Sequence, residues 1–295
     1  APAARLDGHG VLMTYYTTPS LTLGASFGRS FNAILPNHWR PDRSYPLCLM
    51  LHSYGATGAD IHTRTLYGAA PQMDDGCIVL APTAANTDGG ANLYWKYWAT
   101  GGTDDFDFLS SVVAEARARF SVSSVWGIGY SNGGFMTIQM SLQYPTLYDA
   151  IVTIACAGGV NDSTATAAKA IARWHCHGNA DTLVLPAGDV AAATLPGSLA
   201  GHGGLGSVGY VDTATTVAQA ALRNGNASAL GAPGTAFDLW STPAGSESAE
   251  ERYTGTPIVS RVIAAAAAHG LTVSAVSSTV MGGTRLFSWL RGAAP

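Results

Sequence analysis

A chain of 295 residues, 47% of them hydrophobic, is long enough to bury a full core and is expected to form one domain over 1–295. A formal charge of −4, with only 12% charged residues and no basic run, excludes a nucleic-acid partner, whose phosphates require a cationic surface. No run of about 18 apolar residues is present, so no membrane partner is expected, and the opening Ala1-Pro-Ala-Ala4 suggests a mature secreted product or a trimmed chain.

In chain order, residues 11–17 and 29–35 read as two opening antiparallel strands separated by a glycine-containing bend. Residues 47–52 form a continuous apolar run, suited to a buried strand, that ends in the His-x-x-Gly loop His52-Ser-Tyr-Gly55. Another strand follows at 77–82, then the aromatic cluster Leu93-Tyr-Trp-Lys-Tyr-Trp98. Residues 104–120 carry Phe106, Leu109, Val113, Ala116 and Phe120 at helical spacing, with Thr103 or Asp104 as cap. Strands recur at 125–130, 150–155 and 173–177. A Gly/Ala-rich stretch over 187–209 reads as a mobile or lid-like loop, 211–224 as a helix and 250–253 as a strand. The alanine-rich 258–269 reads as an inserted helix before a final strand at 272–279. Alternation of strands and helices predicts a mostly parallel sheet covered on both faces.

The most informative segment is Gly127-Ile-Gly-Tyr-Ser-Asn-Gly-Gly134, which places Ser131 inside G-x-S-x-G between an apolar strand and an amphipathic helix. A serine becomes an accessible nucleophile when held on a sharp strand-to-helix turn, and Gly129 and Gly133 remove the side chains that would obstruct it. Chain order then asks for an acid and a histidine after the nucleophile. Asp181, just past the strand at 173–177, is the orienting acid, whose role is to fix the histidine tautomer and stabilise the imidazolium. Backbone N–H groups of Tyr54, on the loop after 47–52, and of Asn132, next to the nucleophile, are the expected oxyanion donors. His52 reads as a structural turn histidine.

The chain resembles the secreted esterases related to polyhydroxybutyrate depolymerases and to feruloyl and acetylxylan esterases. The resemblance runs over most of the chain and rests on Arg29-Ser-Phe-Asn-Ala-Ile-Leu-Pro36, Leu51-His-Ser-Tyr-Gly55 and Cys77-Ile-Val-Leu-Ala-Pro82. It continues through Asp104-Asp-Phe-Asp-Phe-Leu109, Gly129-Tyr-Ser-Asn-Gly-Gly134 and His177-Gly-Asn-Ala-Asp181, all in family order. It implies an α/β-hydrolase fold, catalytic roles for Ser131 and Asp181, and a histidine in a closing Gly-Gly-x-His followed by Trp. Here that stretch is Gly282-Gly-Thr-Arg-Leu-Phe-Ser-Trp289, so Arg285 stands at the position of a missing histidine, or Phe287 by counting back from Trp289. An arginine, always protonated, cannot accept the serine proton. The absence would reflect an inactivated variant, a natural pseudo-enzyme, or a base supplied from elsewhere, with His202 the first candidate and His269 the second.

The four cysteines, Cys48, Cys77, Cys156 and Cys176, sit in apolar strand-like runs and are expected to be buried free thiols, because neighbouring parallel strands rarely offer disulfide geometry. No C-x-x-C spacing occurs, and neither metal nor cofactor is expected. Trp95 and Trp98 are expected to bind substrate, as flat apolar faces for a ferulate-type ring, a terephthalate unit or a sugar, with Tyr54 as a second wall. The expected function is a monomeric, secreted serine carboxylester hydrolase on feruloyl or acetyl esters or on polyesters. The alternative is a catalytically silent protein that binds a carbohydrate or polymer.

Overall fold

The computed structural model describes residues 3–6, 12–15, 20–24, 29–36, 39–64, 76–87, 91–97, 104–159, 162, 169–189, 209–237, 246, 248–269, 289–290 and 292. Two short strands, β1 (Ala3–Leu6) and β2 (Leu12–Tyr15), pair antiparallel as a ribbon of their own. The next two, β3 (Ser20–Gly24) and β4 (Ser30–Ile34), pair antiparallel at one edge of the main sheet. The expected pairing of 11–17 with 29–35 is therefore corrected. Ser20-Leu-Thr-Leu-Gly24 alternates polar and apolar residues with the period of a strand and takes the place beside β4.

The chain continues through β5 (Tyr45–Leu51), α1 (Gly58–Arg64), β6 (Ile78–Leu80) and the small hairpin β7 (Asn86–Thr87) and β8 (Leu93–Tyr94). Then come α2 (Asp104–Arg119), β9 (Val122–Tyr130), α3 (Asn132–Gln143), β10 (Ala150–Ile154) and β11 (Ala172–Gly178). The described elements close with α4 (Thr213–Asn224), β12 (Ser248–Tyr253) and β13 (Val259–Ala264). The nine-stranded sheet has the order β12-β13-β11-β10-β9-β5-β6-β4-β3. From β13 to β6 the neighbours run parallel, while β12 at one edge and β4 and β3 at the other are antiparallel.

The apolar run of β5 follows from burial on both faces. Leu47, Leu49 and Leu51 point into one core and Cys48 and Met50 into the other, all with 0% exposure. Each such leucine contributes about 1.5–3 kcal/mol by leaving water. Helix α2 lies over the first core through Phe106, Leu109, Val113 and Ala116. Helix α4 is capped by Asp212, whose carboxylate accepts from Thr215 N at 2.8 Å, and stops at Gly225 in the left-handed region. The four cysteines are buried and free.

Residues 258–269 are not a helix. Val259–Ala264 forms β13, parallel to β11 and antiparallel to β12, and a turn follows. Alanine favours helix in isolation, but Val259, Val262 and Ile263 fit a strand slot with partners on both sides, and pairing outweighs propensity. Of the expected loop at 187–209, residues 190–208 lie outside the described residues, as does the expected strand at 272–279.

Candidate active site

Strand order reverses between β5 and β9: β6 lies beyond β5 on one side and β10 beyond β9 on the other. In an open parallel sheet the crevice past the carboxyl ends of two such strands is where ligands bind. The loop His52–Gly55 leaves β5 there, and the Ser131 turn leaves β9. A Cβ on Gly133 would lie 2.1 Å from the Leu51 carbonyl oxygen and 2.5 Å from that of His52, so only glycine lets α3 start this close to the β5 loop.

Ser131 has φ 51° and ψ −120°, a strained conformation for a residue with a side chain, and its N–H is tied to the Ile154 carbonyl at 2.8 Å. Asn132 begins α3, so its backbone N–H has no acceptor within the helix. The Asn132 side chain grips the Trp95 peptide at two points: Trp95 N donates to Oδ1 at 2.7 Å and Nδ2 donates to the Trp95 carbonyl at 3.0 Å. The Trp95 indole N–H in turn donates to the His52 carbonyl at 3.1 Å.

Trp95 is 0% exposed, and this corrects its expected role in binding substrate. Its ring packs beside His52 and the indole N–H is satisfied inside, which leaves no face for a ligand. Tyr94 and Tyr97 are also buried, Tyr97 stacking on Phe135 with centroids 4.9 Å apart. The cluster 93–97 is scaffold for the loop, and Trp98 lies outside the described residues. Tyr54 is half-buried and stacks on Tyr94, while the next residue, Gly55, donates its N–H to the Leu93 carbonyl at 2.9 Å. His52 is buried with Nδ1–H directed at the Ser53 carbonyl, 2.8 Å away, and Nε2 accepting from Ala84 N at 2.9 Å. Burial pushes its pKa down to about 4, so it is a neutral brace at neutral pH.

A histidine on the turn after β13 bridges the two candidate residues. His269 Nε2 is 2.8 Å from Ser131 Oγ, and Nδ1 is 2.7 Å from Asp181 Oδ2. Of the two candidates for a base supplied from elsewhere, it is the second, His269, that stands beside Ser131. Parallel pairing of β13 with β11 delivers the turn beside the Asp181 loop, and His269 occupies the space between serine and carboxylate. Arg285, Phe287 and His202 lie outside the described residues.

Several contacts hold that turn. Asn179 Oδ1 accepts from Ala266 N at 2.7 Å, Asn179 N donates to the Ala264 carbonyl at 3.0 Å and Ala180 N to the Ala267 carbonyl at 3.1 Å. A Cβ on Gly178 would fall 2.1 Å from the Ala267 carbonyl oxygen, so the two loops pack backbone to backbone. The Tyr130 hydroxyl donates to the His269 carbonyl. Burial raises the Asp181 pKa, but hydrogen bonds from His177 and His269, the His269 charge and the Val184 N–H outweigh it and hold the carboxyl well below the usual range. Asp181 Oδ1 also accepts from Leu183 N at 2.8 Å and Val184 N at 3.0 Å.

Sequence reasoning missed the clamping by Asn132, Asn179 and Tyr130. The run Asn179-Ala-Asp181 held a hint, since an asparagine two residues ahead of the candidate carboxylate is well placed to bind the backbone of a facing turn. Among the described residues no group of three or more His, Cys, Asp or Glu is arranged to hold a metal, and no helix is long and apolar enough to cross a membrane.

No family model matches the chain, and a search of curated proteins finds no match. Among solved structures it is similar to an acetyl xylan esterase from Aspergillus awamori, with TM-score 0.61 and 13% identity, over 92% of this chain and 98% of that one. A thermostable esterase aligns with TM-score 0.45 and 18% identity over 62% of this chain and 55% of its own. A ferulic acid esterase aligns with TM-score 0.41 and 13% identity over 55% of this chain and 78% of its own. At such identities the likeness is one of fold, and with the sheet order above it makes this an α/β-hydrolase fold.

Proposed function

We propose that the chain is a secreted serine carboxylester hydrolase with a complete Ser131–His269–Asp181 triad. The observation that carries this reading is the single imidazole within 2.8 Å of Ser131 Oγ and 2.7 Å of Asp181 Oδ2. His269 takes the proton of Ser131 as the oxygen attacks the ester carbonyl, and Asp181 stabilises the imidazolium without itself accepting the proton. The oxyanion is held by the N–H groups of Asn132, at the positive end of α3, and of Tyr54. The alcohol leaves with the proton from His269, and water, activated by the same imidazole, releases the acyl group.

Acetyl esters of carbohydrates are the first substrates to try, since the neighbour of like fold is named an acetyl xylan esterase. Feruloyl esters and polyesters rank lower, because the described aromatic residues of the 93–97 cluster, Tyr94, Trp95 and Tyr97, are buried. The alternative of a silent binding protein rests on a missing base, and the contacts of His269 with Ser131 and Asp181 favour the active reading. The test is hydrolysis of p-nitrophenyl acetate together with labelling by a fluorophosphonate. Ser131→Ala should abolish both, and labelling of a different serine in the unaltered chain would refute the assignment.

A further inference from the structure

His177 lies beneath Asp181, on β11, wholly buried. Its Nδ1 is 3.1 Å from the Cys156 carbonyl oxygen, and its Nε2 is 2.8 Å from the Val184 carbonyl oxygen and 3.2 Å from Asp181 Oδ2. Both nitrogens therefore face oxygens that can only accept. A neutral imidazole carries one N–H, so it satisfies one side and sets a lone pair against a lone pair on the other. The imidazolium donates on both. A buried cation needs a counter-charge at close range, and the Asp181 carboxylate is that group.

We propose that His177 is a positioning residue for the acid of the triad, a buried imidazolium that holds the Asp181 carboxylate from below while His269 holds it from the cleft. This rests on the triad reading above. Asp181 Oδ2 is shared between the two rings and Oδ1 takes the Leu183 and Val184 amides, so the carboxylate has no freedom to rotate away from the base. The second consequence is electrostatic. The His177 charge offsets part of the Asp181 charge, which lessens the pull of Asp181 on the charge that His269 gains in the reaction.

The other groups facing His177 do not supply this charge. His175, two residues back on β11 with its ring centroid 5.9 Å away, is held well below its ordinary value by burial and is neutral. The Cys156 thiol is pushed up to about 12 by burial, and the Tyr210 phenol, near Asp181, is raised by burial, so both are uncharged. Arg173, lowered by burial to about 9, remains cationic but lies four residues back along β11. Arg261, opposite His175 on β13, is paired with Glu251 at 2.5 Å.

The test uses His177→Gln, which keeps a donor and removes the charge, and reads kcat/KM for p-nitrophenyl acetate from pH 4.5 to 9. The acid limb should move to higher pH by about one unit, with KM little changed. A limb and plateau that superpose on those of the unaltered chain would overturn the proposal. Side-chain 15N spectra of the unaltered protein at pH 7 give an independent reading, decisive even where the variant does not fold. Two protonated nitrogens on His177 are expected, and a singly protonated ring would refute the proposal. Failure of the triad reading looks different: His269→Ala would then keep its turnover and its fluorophosphonate labelling, whatever the state of His177.

Discussion

The buried brace under the oxyanion loop should make the protein acid-labile in a measurable way. His52 is 0% exposed, accepts from Ala84 N, and has its pKa pushed from 6.5 to about 4 by burial. In the unfolded chain it titrates near its ordinary value, so between these limits the unfolded state binds a proton that the folded state refuses. Stability is therefore fully present above about pH 6.5 and is lost as pH falls toward 4. At about 1.4 kcal/mol per pH unit the full loss is about 3 kcal/mol, of which about 2 kcal/mol falls between pH 6.5 and 4.5. The perturbation is His52→Gln, which removes the titration while keeping a donor and an acceptor. At pH 7.5 the variant should be less stable by about 1–2 kcal/mol for imperfect hydrogen bonds. That deficit should shrink with acidification and vanish or reverse near pH 4.5, since His175, also lowered by burial, titrates equally in both proteins. Urea denaturation at pH 7.5, 6.5, 5.5 and 4.5 measures it. A difference constant to within about 0.5 kcal/mol over that range would refute the reasoning, since His52 would then not be held neutral.

Other outcomes follow from the loops that present Ser131, Asp181 and His269. Gly178→Ala, which sets a Cβ 2.1 Å from the Ala267 carbonyl oxygen, should displace the His269 turn and lower kcat for p-nitrophenyl acetate by about 10²-fold; normal turnover would show that the backbone contact does not position the base. Trp95→Phe removes the indole donor to the His52 carbonyl and should cost about 1–2 kcal/mol in urea unfolding. The preference of that variant between acetyl and feruloyl esters should not change, and a selective loss on feruloyl esters would restore Trp95 as a substrate contact. Asp181→Asn should lower kcat by about 10⁴-fold. Because the carboxylate is held below its ordinary value of 3.8, its contribution to stability is present above about pH 4 and lost in stronger acid. The variant should accordingly show a shallower acid-unfolding curve below pH 4, and an unchanged curve would contradict the assignment.

The elements that carry Ser131 and Asp181 were legible because their signals are local. The strand before Ser131, the glycines around it and the helix after it form one short continuous run, and the carboxylate follows directly on an apolar strand. His269 stood only second among the candidate histidines because its place depends on a pairing between distant segments. Ile258-Val-Ser-Arg-Val-Ile-Ala-Ala-Ala-Ala-Ala-His269 has the composition of a helix, and a histidine at the end of a helix reads as a surface residue. Once Val259–Ala264 pairs with β11, the same histidine stands on the loop after a parallel strand, where functional residues of such a sheet collect. Trp95 misled for a related reason: aromatic residues in a loop serve equally as ligand platform or as internal brace, and the Asn132 grip on its peptide has no local signature. The inward row Arg173, His175 and His177 is legible as part of a strand, and its alternation marks a polar face buried beneath the site.

The measurement that bears most directly on the account is kcat/KM for p-nitrophenyl acetate in His269→Ala, set beside Arg285→His and His202→Ala and accompanied by fluorophosphonate labelling. The account predicts that His269→Ala loses about 10³-fold or more in turnover and no longer labels at Ser131, while Arg285→His gains nothing and His202→Ala behaves as the unaltered chain. Retained activity in His269→Ala, or turnover that appears only with Arg285→His, would contradict it.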